Sequence, residues 1–167
     1  PRLDVKQNQL YEEGGMAYLD THYYGGIKKY QWAALPLAIH GVIVKKDGTC
    51  VEVCVGEEDD DPVFCITDLL IHLSSKQMEK TGAKVIEGEQ LDVVVGSIPL
   101  SDSEKNCVKE NVLNILKKEY DIEEEDFVSA ELEVVPAGKA RELGFDRGMI
   151  MSYGQDDRVC AFTSLEA

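Results

Sequence analysis

The residues best placed to do chemistry lie in the run Ser152 to Ala167, SYGQDDRVCAFTSLEA. Two adjacent carboxylates, Asp156 and Asp157, come after a polar turn and stand before Arg158 and an amphipathic run that begins as a helix. A carboxylate at a strand-to-helix turn is held by rigid backbone on both sides. It can offer one oxygen to each of two zinc ions roughly 3.5–4 Å apart, and a second carboxylate beside it can orient a neighbour. The same residues also read as an ordinary helix N-cap, since an aspartate before an apolar run accepts free backbone amides. Spacing alone favours the cap.

The histidines offer less. His22 comes after Thr21 in an aromatic run, His40 closes an apolar stretch, and His72 lies between Ile71 and Leu73. None has a second histidine at the i+2 or i+4 spacing of a metal pair, and there is no HxD, HExxH or CxxC. The chain alone therefore lacks the three or four ligands of a zinc site. Each histidine reads locally as a hydrogen-bonded, half-buried side chain. Nucleophile elbows, phosphate loops and dinucleotide turns are absent too. The five cysteines, at 50, 54, 65, 107 and 160, are odd in number. Cys50 and Cys54 share a strand face but stand roughly 13 Å apart along it, too far for one metal or a disulfide. They are expected to be small buried side chains in a reducing cytosol.

The elements that must position these residues are bounded by composition. The chain has 167 residues, 44% hydrophobic and 29% charged, enough for one domain or one domain and part of another. No apolar run approaches ~18 residues, so no membrane span is expected, and no signal peptide opens the chain. Pro1 without a preceding Met, and a helix that stops at Ala167, read as the cut ends of a longer polypeptide. The net charge of −15 argues against nucleic acid, whose phosphates require a positive footprint. It selects no substrate, because it sits in solvent-facing patches such as Glu57 to Asp61 and Glu123 to Asp126.

Alternation predicts a strand over 1–7, a Gly14-Gly15 turn and an extended run over 16–24. Residues 27–35 fit a loop or a short strand. Residues 36–46 and 49–55 alternate around Asp47-Gly48, the strongest short-range hairpin signal in the chain. A short strand is predicted over 62–66, then a helix over 69–78 capped by Thr67 or Asp68. A β-branched strand comes next at 91–99. The clearest helix runs from Ser101 to Tyr120, capped by Ser101 or Ser103, with Asp102 and Glu104 at its positive end and Lys117 and Lys118 at its negative end. An acidic loop and an alternating strand fill 123–137, a polar and helical stretch 138–144, and a last strand 145–154. Short turns between frequent strands make the sheet mostly antiparallel. The expected class is α+β: a Greek-key, barrel-like domain with a helix-containing insertion.

YGQDDRVCAFTSL (153–165) resembles the bridging-aspartate segment of the aspartyl aminopeptidase and vacuolar aminopeptidase I family of dinuclear zinc exopeptidases. PRLDVKQNQLYEE (1–13) resembles the segment just after that family's His-x-Asp-Ser metal motif. THYYGGIKKYQW (21–32), DPVFCITDLLIHL (61–73) and VSAELEVVPAGKARELGFDRGMI (128–150) are similar to its bacterial members. The resemblance covers essentially the whole chain.

It implies the family's inserted dimerisation or lid domain at 7–147, with a stub of the catalytic domain at 1–6 and a return into that domain at 148–167. It implies that Asp156 is the aspartate bridging two zinc ions, with other divalent metals conceivable there, and that Asp157 lies just behind it. His72 matches a lid histidine that reaches in trans into a neighbouring subunit's active site, where it contacts the substrate carbonyl or oxyanion. His40 gains no such role. The remaining ligands and the glutamate base are missing from this sequence, so the chain alone is expected to be inactive. The whole is expected to be a cytoplasmic hydrolase, a metalloprotease of the aminopeptidase kind. It would act on peptides as a homodimer that builds a larger oligomer such as a dodecamer, with no nucleic acid or membrane partner. Two alternatives remain: a free-standing dimerisation module without chemistry, and the related cellulase-like and tetrahedral aminopeptidase group, which should lack the long insertion at 62–120.

Overall fold

A computed structural model describes residues 2–100 and 105–167. Pro1 and the residues expected to cap and charge the start of the long helix, Ser101, Asp102, Ser103 and Glu104, lie outside the described residues.

Strands β1 (Arg2–Glu13) and β2 (Met16–Tyr24) form a hairpin. Its turn places Gly14 at φ +59 and Gly15 at φ +78, the paired positive angles that match the twist of flanking strands. β1 runs well past the expected end at residue 7. Its register breaks between Val5 and Leu10, where Lys6 to Gln9 stand opposite Asp20 alone. That bulge lets Leu3, Val5 and Leu10 face one core despite their uneven spacing.

The second hairpin is β3 (Leu37–Val44) with β4 (Cys50–Val55). Its loop closes as predicted: Gly48 sits at φ +84, and the Asp47 carboxylate accepts the Thr49 amide at 2.9 Å. β5 (Val93–Gly96) pairs with β2, and β6 (Ala130–Pro136) returns to lie between β1 and β3. All these pairings are antiparallel, in the order β4-β3-β6-β1-β2-β5. The expected strand at 62–66 is instead a short seam. Phe64 exchanges two backbone hydrogen bonds with Leu37, at the end of β3 that β4 leaves uncovered, and Cys65 accepts the Val94 amide of β5 at 2.9 Å. The seam links the overhanging end of β3 to the edge strand β5, which curls the sheet into a barrel-like form.

Leu3, Leu19, Leu37, Ile43, Val93 and Val134 fill the interior, each 5% exposed or less. Helix α2 (Cys107–Tyr120) lies against β5 through buried Val108. A Cβ on Gly96 would stand 2.6 Å from Val112 Cγ2, so the glycine is what admits the helix at this distance. The amides of Val108 and Lys109 donate to Glu12 Oε2 at 2.9 and 3.0 Å, which caps α2 from β1. An apolar cavity of about 470 Å³ remains between α2 and the sheet. Its lining is apolar apart from residues such as Ser97, Glu119 and Tyr120.

Four expectations are corrected. The helix over 69–78 shrinks to α1 (Ser75–Met78). Leu70–Leu73 forms a turn closed by the Leu73 amide on Leu70 O, and Leu69, Leu70, Ile71 and Leu73 are all more than half exposed. Without a surface to pack on, so short a helix is not self-sustaining. Asp68 Oδ1 caps only its own next amide and accepts Gln77 Nε2. Second, Glu124–Ser129 is a 3₁₀ turn closed by a reciprocal Glu123–Asp126 box, and the strand starts at Ala130. Third, the stretch at 138–144 is not helical: β7 (Arg141–Leu143) pairs with β8 (Met149–Met151) between glycines at positive φ. Fourth, none of the five free cysteines is buried, because Cys50 and Cys54 occupy the outward positions of β4.

Candidate functional site

After β8 the chain turns at Tyr153 and Gly154 and enters α3 (Gln155–Glu166). Gly154 sits at φ +76, and the Arg158 guanidinium folds back over the space its missing Cβ leaves, 3.7 Å from the ideal Cβ position. Asp156 has non-helical angles, φ −78 and ψ 122, and a cis peptide joins it to Asp157. These extended angles interrupt α3 at Asp156 and are the ones an N-cap residue adopts, while Gly154, at the head of α3, has no side chain to cap with. The amphipathic helix expected here has no covered face: Val159, Phe162 and Leu165 are all exposed. Both carboxylates point from an exposed turn, side by side on consecutive residues.

One aromatic contact fixes this turn to the barrel. Tyr153 meets Trp32 edge to face, with centroids 6.2 Å apart and planes at 85°. Trp32 is 6% exposed and comes directly after a 3₁₀ turn at Lys29–Gln31, inside the stretch that the sequence left open. Burial, then the nearby Glu133 carboxylate, raises the Tyr153 phenol above its usual range, against the opposing pull of Arg158 and Arg2. Arg2 in turn donates to Asp4 at 2.6 Å and Glu133 at 3.0 Å, and lies 4.7 Å over the Tyr24 ring. The start of β1, the middle of β6 and the turn before Asp156 therefore meet at one corner.

His72 sits elsewhere, in the exposed turn Leu70–Leu73. That turn is pinned from below by Ser74, 3% exposed, whose hydroxyl donates to Ile71 O at 3.1 Å. The other histidines are locally paired, His40 with Glu57 at 2.8 Å and His22 with Asp4 at 3.6 Å. Among the described residues no hydrogen bond or ion pair joins His72 to Asp156 or Asp157, and no three His, Cys, Asp or Glu side chains converge as a metal cluster. The donor set present fits one carboxylate contribution to a zinc site and does not fit a complete one.

The Trp32–Tyr153 contact was missed in the sequence. Its signals were there, the chain's single tryptophan and a tyrosine before a glycine, but their pairing spans more than a hundred residues.

The family described as aminopeptidase I zinc metalloprotease (M18) matches residues 1–167. A probable M18 family aminopeptidase 1 of Clostridium acetobutylicum is 69% identical over 168 residues, covering all of this chain and 36% of its own length. The solved M18 aminopeptidase of Thermotoga maritima superposes with a TM-score of 0.93 at 54% identity, covering 98% of this chain and 36% of that one. The mApe1 dodecamer of S. cerevisiae, at 19% identity and a TM-score of 0.61 over 96% of this chain and 34% of its own, shares the fold. The chain thus spans about a third of the length of the relatives it matches. No helix among the described residues is long and apolar enough to cross a membrane.

Proposed function

The chain belongs to the aminopeptidase I zinc metalloprotease family, M18, and from that premise we propose that it is one portion of an aminopeptidase removing N-terminal residues from peptides. Its share is to wall the active site, to make subunit contacts and to supply one carboxylate that bridges two zinc ions. In this reading residues 1–6 and 148–167 belong to the catalytic domain and 7–147 to the lid.

The observation that carries the reading is Asp156. Its carboxylate stands exposed on a sharp turn whose backbone is anchored to the barrel, at the corner where β1 also begins. Two oxygens on one carboxylate suit a bridge, and Asp157, next in the chain, would orient the donors around it. Bound zinc would supply Lewis-acid polarisation of the scissile carbonyl. His72, on an exposed turn tied to the buried Ser74, would reach beyond its own subunit and donate a hydrogen bond to a neighbour's substrate. That role requires self-association, which the dodecameric relative supports.

The test uses the complete polypeptide. Asp156→Ala should lower kcat on the order of a thousandfold and lower bound zinc, with circular dichroism unchanged. His72→Ala should lower kcat about a hundredfold with zinc content unchanged. Full zinc and full turnover in Asp156→Ala would remove the bridging assignment. Unchanged turnover in His72→Ala would remove the trans histidine.

A further inference from the structure

We propose that the cavity between α2 and the sheet binds a small amphiphilic amine, with its alkyl body inside the barrel and its ammonium at the Glu119 carboxylate. The proposal is independent of the zinc reading, because every residue it uses lies in the barrel or on α2.

At about 470 Å³ the cavity has the size of a small-molecule pocket, for which about 300–1,000 Å³ is usual. Its floor is aliphatic. Leu10, Leu19, Ile39, Ile43 and Leu132 line it from the sheet, each 7% exposed or less. Val112 and Leu116 line it from the helix. A well-packed core leaves few voids of this size, and α2 cannot settle further to close this one. It is held at one end by Val112 against the Gly96 backbone. At the other, the amide of buried Ile122 donates to Leu116 O at 3.3 Å. Water gains little inside, because a buried water needs about two to four polar partners and the lining offers mainly alkyl groups.

The lining residues that reach solvent are Pro62 and Val63 on the seam side, Ser97 just after β5, and Ile115 and Glu119 on α2. The cavity therefore opens between helix and seam. The charges at that opening are negative. Glu119 is itself in the lining, and no lysine or arginine is among the described lining residues. Asp61, just before Pro62, is fixed by the amides of Gly56, Glu57 and Glu58 at 3.0, 3.2 and 3.1 Å. Both carboxylates act on Tyr120 in the lining: burial first, then Glu119 and Asp61, raises its phenol.

An apolar chamber with a negative mouth selects a ligand by both its ends. Removal from water favours an alkyl body, and the field at the opening favours a cation. A fatty acid would bring a second carboxylate to Glu119, and so would a free amino acid. An amine that carries no carboxylate meets both requirements.

The test uses the complete polypeptide and three probes of equal chain length: octylammonium, 1-octanol and octanoate. Calorimetric titration should show octylammonium binding most tightly and octanoate most weakly. From butyl- through hexyl- to octylammonium, affinity should rise roughly fourfold per added methylene, as for a chain that leaves water. Glu119→Gln, at an exposed position, should weaken octylammonium about threefold and leave octanol unchanged. Val53→Phe narrows the chamber from β4 and should weaken both probes about tenfold, with turnover as in wild type. Crystals soaked in octylammonium should show the chain between α2 and β5. If circular dichroism shows Val53→Phe to be unfolded, Glu119→Gln and the soaked crystal decide the matter. Octylammonium binding that the folded variants leave unchanged, an amine seated outside the cavity, octanoate binding as tightly as octylammonium, or no measurable binding would each overturn the proposal.

Discussion

Residues 2–136 and residues 137–166 treat their apolar side chains in opposite ways. In the barrel, five of the six strands bury apolar residues and β4 packs half-buried Val51 and Val53 against them, and among the described residues the buried apolar side chains lie between Leu3 and Val134. In the arm made of β7, β8 and α3, Phe145, Met149, Ile150, Met151, Phe162 and Leu165 are all more than half exposed. The two parts share one chain and similar residue types. The difference lies in closure. The barrel links β3 to the edge strand β5 through the 64–66 seam and so encloses a volume. The arm's hairpin and single helix have only one layer, and one layer cannot enclose anything. Contiguous exposed apolar surface marks a contact face. In the proposed function that face belongs against the rest of the peptidase.

The largest test of this contrast is Leu37→Ala. Leu37 is fully buried and carries the backbone pairing that closes the seam. Loss of its side chain should reduce unfolding free energy by about 2–5 kcal/mol. Urea unfolding monitored by Trp32 fluorescence measures it, since Trp32 is the single tryptophan and lies in the core. A loss below about 1 kcal/mol would mean that the seam is not packed, and the barrel would lose its distinction from the arm.

The same contrast governs what the sequence disclosed. Local chemistry read well. Asp47-Gly48 and Gly14-Gly15 declared both hairpins, because turn geometry needs those residues whatever surrounds them. The antiparallel, barrel-like class came from them. Long-range effects read poorly. The Lys6 to Gln9 bulge hid half of β1, because a bulge breaks the alternation that identifies a strand. Leu69 to Leu73 read as a helix face but form an exposed turn, since nothing lies there for the face to cover. Residues 138–144 are polar, and only pairing with β8 makes their centre a strand. At the candidate site, the choice of Asp156 rests on resemblance, while the pairing of Trp32 with Tyr153 could not be read from the sequence because it exists only in three dimensions.

A smaller effect is expected at Asp92, where the barrel holds a charge. Its carboxylate accepts the Tyr11 hydroxyl at 2.6 Å and the Thr21 amide at 3.2 Å, with Asp20 nearby and Lys6 paired to Asp20 at 2.6 Å. Burial, chiefly, and Asp20 raise the Asp92 pKa, against the Tyr11 and Thr21 hydrogen bonds. A raised carboxylate pKa means that the folded state binds the proton more tightly than the unfolded chain does. Asp92 therefore opposes folding above its folded pKa, and that opposition fades as pH falls through it. Asp92→Asn removes the charge and keeps one oxygen for Thr21. The variant should melt roughly 2 °C higher near pH 7, the gain being small because the group is only half-buried and partly screened by solvent. The difference should close in acid. A gap that widens on acidification would show that the hydrogen bonds, and not burial, set the balance.

The smallest effect should come from the arm. Phe145 lies at the tip of the β7–β8 loop with its side chain wholly exposed. The loop is held by backbone and polar contacts: Arg147 N donates to Gly144 O at 3.2 Å, Gly148 N to Asp146 Oδ1 at 3.3 Å, and Arg147 pairs with Glu142 at 3.1 Å. Removing the ring leaves all three in place and opens no cavity. Phe145→Ser should therefore leave the Trp32-monitored unfolding of the 167-residue chain within about 0.5 kcal/mol of wild type. It should also lower binding of an apolar dye and self-association at high concentration. In the complete polypeptide the same change should be more costly, because the ring would then have a surface to cover it. If Phe145→Ser destabilises the isolated chain as much as Leu37→Ala does, the β7–β8 loop packs on the barrel after all, and the division between an enclosed body and an arm of exposed apolar side chains fails.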